Sequence, residues 1–203
     1  MIKGERFNSI SHLVGSALAL VGASVLITAA TFDGNLTKIV SYSIYGGCLF
    51  LLYLSSTLYH SLAGKAKAVF RKIDHLAIYL MIAGTYTPFA LVAVQGTTGW
   101  WLVGVIWGLA ICGIVIDMLP LKGPRIIPVV IYIAMGWSCL FTLDAMIAGM
   151  SPGGFHWLVA GGLIYTTGVV FYVLDHWFPW CHEIWHLFVI GGSFCHFIAI
   201  FSL

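Results

Sequence analysis

The chain has 203 residues, 61% of them hydrophobic and 8% charged, with nine Lys and Arg against seven Asp and Glu. A soluble domain carries roughly 25% charged residues, so these few side chains cannot cover a water-facing surface. This excludes an ordinary cytosolic enzyme, a nucleic-acid binder and a disordered chain, and leaves an integral membrane protein.

A spanning helix needs about 20 mostly apolar residues. Windows free of Asp, Glu, Lys and Arg run from Phe7 to Phe32, Ile39 to Gly64, His75 to Ile116, Ile126 to Leu143, Ala145 to Leu174 and Ile184 to Leu203. The third window holds two helices, parted at Gln95-Gly96-Thr97-Thr98-Gly99. The fourth and fifth together hold two more, parted at Met150-Ser151-Pro152-Gly153-Gly154. The pattern predicts an all-α integral membrane protein, a seven-transmembrane helix bundle. Its helices fall at about 9–31, 37–62, 73–95, 100–119, 126–149, 154–174 and 182–203. No long loop separates them, so residues 1–203 read as a single seven-helix domain with no soluble appendage and no cleaved signal peptide.

Lys3 and Arg6, then Lys65, Lys67, Arg71 and Lys72, then Lys122 and Arg125 fall on one side of such a bundle, and Lys38 alone falls on the other. Basic residues in short loops mark the cytoplasmic side. The expected orientation therefore has the N-terminus in the cytoplasm and the C-terminus outside, in the cell (inner) membrane.

Cys48, Cys112, Cys139, Cys181 and Cys195 show no C-x-x-C spacing, and all but Cys181 lie in apolar runs. They read as small buried groups. Gly15, Gly22, Gly84, Gly161 and Gly168 read as sites of close helix packing. Trp100, Trp101, Trp157, Trp177 and Trp180 lie near span ends, as an interfacial belt does.

Ionisable groups inside spans are rare and costly, so each is a candidate for function. The chain has eight histidines. Helix 2 ends in Ser56-Thr57-Leu58-Tyr59-His60, helix 3 begins at Asp74-His75, and helix 7 begins with His182-Glu183-Ile184-Trp185-His186. Ser56 and His60 share a helix face, as do His182 and His186. The topology brings all five residues to one membrane depth. Taken singly, an intramembrane His reads as an interhelical hydrogen bond. Asp74 and Glu183 read as anions at helix N-termini, and Asp74 as a partner of Arg71 or Lys72. Taken together, they point to a metal.

Two imidazoles one turn apart can chelate one ion, and a third from another helix completes a three-histidine set. With an open fourth position for water, that is the ligand set of a catalytic zinc. Asp74 is then suited to hold or deprotonate the water, and Ser56 to hydrogen-bond Asp74 or a substrate oxygen. His12 and His75 lie near the same side as outer neighbours. His196 falls on another face of helix 7 and reads as packing, and Asp117 reads as a partner of Arg125. His156 and His176 read as solvated, and Asp144 as a polar contact at the outer interface.

These residues resemble the progestin and adipoQ receptor family, which includes the adiponectin receptors. The compact form is similar to its bacterial hemolysin III-like branch. The resemblance rests on Ser56-x-x-x-His60, Asp74 and His182-x-x-x-His186. It also rests on Glu5-Arg6-Phe7-Asn8-Ser9-Ile10-Ser11-His12 and Ala83-Gly84-Thr85-Tyr86-Thr87-Pro88-Phe89. It covers nearly the whole chain. It implies a zinc ion held by His60, His182 and His186, with Asp74 on the zinc-bound water and Ser56 beside it. The wider superfamily includes alkaline ceramidases, so the implied chemistry is hydrolysis of a lipid amide or ester, with a membrane lipid as substrate or ligand. The long cytoplasmic extension of the animal receptors has no counterpart here, so binding of a protein hormone is not carried over. Two other functions fit the sequence: a non-enzymatic membrane sensor with structural zinc, and a pore-forming cytolysin. The spans are too apolar to show a water-lined stripe that a pore would need. A bis-histidine haem is disfavoured, because two histidines one turn apart cannot bind opposite faces of one haem.

Overall fold

A computed structural model describes residues 4–119, 125–178 and 180–203. Lys3 and Lys122, which enter the orientation argument, lie outside the described residues. Among the described residues the chain is all helical, and seven helical stretches are long and apolar enough to cross a membrane. In chain order they are α1 (Arg6–Phe32), α2 (Leu36–Ser61) and α3 (Gly64–Pro88), which continues as a π-helical segment, Phe89–Val94. Then come α4 (Gly96–Met118) and a fifth span made of α5 (Ile126–Gly136), a 3-10 segment (Trp137–Thr142) and α6 (Leu143–Gly149). The last two are α7 (Pro152–Leu174) and α8 (Trp180–Phe201).

Local chemistry sets the boundaries. The Asn35 side chain accepts from the Lys38 backbone N–H at 3.1 Å and starts α2. Ser151 does the same for Gly154 at 3.1 Å, and Pro152, with no N–H to satisfy, fills the first turn of α7.

Three features differ from the sequence expectation. The third helix, expected to begin near residue 73, begins at Gly64. Lys65, Lys67, Arg71 and Lys72 are therefore helical rather than loop residues. A charge-free window measures the part of a helix that lies in hydrocarbon, and Lys, Ala and Arg extend the helix beyond it. Asp74 consequently stands well inside α3 and not at its N-terminus. The same helix changes pitch right after Pro88, which has no N–H to donate to the preceding turn. The fifth span, expected as one helix over 126–149, is interrupted by its 3-10 segment. Tyr86 of α3 is inserted there: its hydroxyl donates to the Gly136 carbonyl at 2.7 Å and accepts from the Cys139 N–H at 2.8 Å. A side chain that takes over ladder groups breaks the α-helical repeat.

α1 packs on α2 and α8, α2 on α3, α3 on α4, and α7 on α8. Small residues allow the close approaches. A Cβ on Gly15 would lie 2.8 Å from the Tyr53 ring, and one on Gly84 would lie 2.8 Å from the Cys48 Cβ. Both positions match the sequence reading of close packing. The starts of α1, α3 and α8 and the end of α2 meet at one end of the bundle, where the histidines are.

Candidate metal centre

His60 stands in the last turn of α2, and His182 and His186 occupy successive turns of α8. One side-chain nitrogen from each of the three lies within 4.8 Å of the others. His60 and His186 are only 3% and 2% exposed, and His182 is half-buried. The buried His60 Nε2 and His186 Nδ1 have no hydrogen-bond partner among the described residues. Unpaired buried nitrogens are costly unless something binds them. The donor set therefore fits a metal ion.

Ser56 is buried one turn from His60, and the Asp74 carboxyl lies within reach of the Ser56 hydroxyl, with the His182 ring and the Arg125 guanidinium as more distant neighbours. Among the described residues no Lys, Arg or His nitrogen is within ion-pair distance of Asp74, Arg71 and Lys72 included. The five residues singled out from three distant segments are thus gathered at one place.

The two outer neighbours behave differently. His12 is 4% exposed and lies flat on His186, with ring centroids 3.7 Å apart and planes 20° apart. It also meets the Tyr53 ring edge-on at 5.0 Å. Neither His12 nitrogen has a partner among the described residues. His75 is outside the three-nitrogen group. Its carbonyl accepts from the Tyr132 hydroxyl at 3.1 Å, and its ring has Arg125 and Asp117 as charged neighbours.

Two carboxylates at the centre were not anticipated. Glu5 Oε2 is 2.9 Å from His60 Nδ1, and Glu5 Oε1 accepts from Lys67 Nζ at 2.6 Å. Asp175 Oδ2 is 2.8 Å from His182 Nδ1. Partial burial pushes the Glu5 carboxyl up, but the Lys67 ammonium and the His60 ring outweigh it and hold the carboxyl below its ordinary value. Glu5, Asn8 and His12 are spaced three and four residues apart, so one face of the start of α1 is turned to this end of α2 and α8. That spacing was the available signal.

The remaining polar residues lie elsewhere. Asp117 and Arg125 form an ion pair at 2.6 Å. His196 Nε2 is 3.3 Å from the Leu158 carbonyl, with its ring near Phe89 and Tyr165, as a packing residue would be. Asp144, His156 and His176 are exposed.

A seven-helix membrane bundle with a three-histidine cluster at one end is the class that fold and geometry define. Residues 1–197 match the family described as Haemolysin-III related, and the chain belongs to that family. It is 39% identical over 200 residues to Hemolysin-3 of Bacillus cereus, covering 98% of this chain and 91% of that protein. It is 40% identical over 200 residues to a Hemolysin-3 homolog of Bacillus subtilis (strain 168), covering 98% and 93%. It is also 30% identical over 201 residues to the Monocyte to macrophage differentiation factor of Homo sapiens, covering 96% and 82%. The protein is a multi-pass integral membrane protein, and the expected hemolysin III-like relationship is borne out.

Proposed function

We propose that this protein is a zinc-dependent intramembrane hydrolase of a lipid amide or ester, acting in membrane homeostasis from the cytoplasmic leaflet of the cell membrane. The observation that carries the reading is the convergence of three imidazole nitrogens within 4.8 Å beside a carboxyl group that has no cationic side-chain partner among the described residues. The orientation is supported by Lys65, Lys67, Arg71, Lys72 and Arg125, which lie toward the same end as the cluster.

His60, His182 and His186 are the ligands in this reading. Zinc bound there supplies a Lewis acid that polarises an acyl carbonyl and makes water acidic enough to attack near neutral pH. Asp74 accepts the proton of the attacking water as the carbon–oxygen bond forms. It then returns that proton to the leaving nitrogen or oxygen as the old acyl bond breaks. The products are a fatty acid and an amine or alcohol. Ser56 holds the Asp74 carboxyl in place. The apolar surroundings limit bulk water and strengthen each of these interactions.

Two measurements test the reading. Elemental analysis of purified protein is expected to give nearly one zinc per chain in wild type and almost none in His186→Ala. Purified protein incubated with a panel of lipid amides and esters is expected to release fatty acid, and Asp74→Asn to slow release at least about a hundredfold while retaining zinc. Bound zinc with no cleavage of any lipid, and melting lowered as far as function in His60→Ala, would establish the structural-zinc reading instead.

A further inference from the structure

Each of two rings in the cluster has a carboxylate on its Nδ1. His60 Nδ1 meets Glu5 at 2.9 Å, and His182 Nδ1 meets Asp175 at 2.8 Å. A carboxylate accepts, so the ring proton sits on Nδ1 and the lone pair sits on Nε2. His60 Nε2 is the buried nitrogen without a partner. The ring is therefore fixed on one side by Glu5 and directed into the cluster on the other.

We propose that Glu5 and Asp175 are positioning residues of the metal centre. Each fixes the tautomer and orientation of one ligand ring, and together they set how tightly the ion is held. Neither belongs to the three-nitrogen group. This rests on the reading of His60, His182 and His186 as ligands. The plainest competing role for Glu5 is mechanical, since it also ties the start of α1 to Lys67 of α3 at 2.6 Å. Asp175 has no second cation within ion-pair distance among the described residues, so a mechanical role does not account for both carboxylates.

The experiment measures zinc affinity by chelator competition, together with the visible spectrum of the cobalt(II)-substituted protein. Glu5→Gln and Asp175→Asn keep the shape and remove the charge. Each is expected to weaken zinc binding roughly 10- to 100-fold, the usual effect of losing a ligand's hydrogen-bond partner. Lys67→Met removes the mechanical tie and leaves the His60 contact, so its affinity is expected to match wild type. Asp33→Asn, at the opposite end of α1, is the control. Wild-type affinity in both charge-removing variants, in protein whose zinc is lost on His186→Ala, overturns the proposal and leaves the ligand reading standing. Zinc absent from wild type and His186→Ala alike overturns both. If a charge-removing variant does not fold, Glu5→Asp and Asp175→Glu move the carboxylate by one methylene. Their cobalt spectra are expected to shift, and unshifted spectra overturn the proposal.

Discussion

The His12 ring lies parallel to the His186 ring, 3.7 Å between centroids, so a residue of the first helix forms one wall against a proposed ligand on the last. Stacked aromatic pairs are worth roughly 0.5–1.5 kcal/mol beyond their buried area, and 1.4 kcal/mol is a tenfold change in an equilibrium. His12→Ala is expected to weaken zinc binding by about fivefold, because His186 loses the ring that holds its plane. His12→Phe keeps the stack and is expected to retain near-wild-type affinity. Chelator competition on the two variants side by side checks this. Equal loss in both would assign the effect to the His12 nitrogens rather than to the stacking.

Asp74 and the histidines are expected to separate cleanly. On the proposed function, His60→Ala and His186→Ala are expected to lose the metal and with it all hydrolysis. Asp74→Asn is expected to keep the metal and to lose roughly a hundred- to ten-thousand-fold in rate, the usual contribution of a positioned acid–base group. Metal content and fatty-acid release measured on the same preparations test the separation. Loss of metal in Asp74→Asn would make Asp74 part of the binding set.

The site was largely legible because helical spacing is local and charge is scarce. His182 and His186 share a face by their spacing alone. Counting spans then places His60 and Asp74 at the same end. Neither Glu5 nor Asp175 stands out in the sequence, because each meets its histidine through a contact across a turn or between helices. Asp175 stands seven residues before His182, with the turn after α7 between them. Glu5 stands 55 residues before His60, a pairing only the packing of α1 on α2 creates. The interruption of the fifth span was hidden for the same reason, since the Tyr86 hydroxyl that causes it comes from α3.

Tyr86→Phe is expected to destabilise the bundle by about 1–3 kcal/mol. The change strips the Gly136 carbonyl of a donor and the Cys139 N–H of an acceptor in a place that offers little water. Thermal melting in detergent measures the loss. Unchanged melting would show that the 3-10 segment reverts to an unbroken α-helix and repairs its own ladder.

Gly15→Ala tests the close approach of α1 and α2. The added methyl meets the Tyr53 ring at 2.8 Å, inside contact distance. Tyr53 is held by a hydroxyl bond to Ser193 at 2.8 Å, so it cannot swing away freely. An overpacking cost of roughly 1–3 kcal/mol in melting stability is expected. Because Tyr53 also abuts His12, a smaller loss of zinc affinity should accompany it. Wild-type melting would place the slack in the helix backbones.

The pairing of α1 with α8 also bears on biosynthesis. Glu5 and His12 are among the first of the described residues to leave the ribosome, and His182 and His186 are among the last. The cluster cannot exist until the seventh span has been inserted and has returned to lie against the first. If the cluster holds a metal, its capture by a nascent chain reports that the last span has returned to the first, and a chain halted after the sixth span presents His60 and Asp74 without His182 and His186.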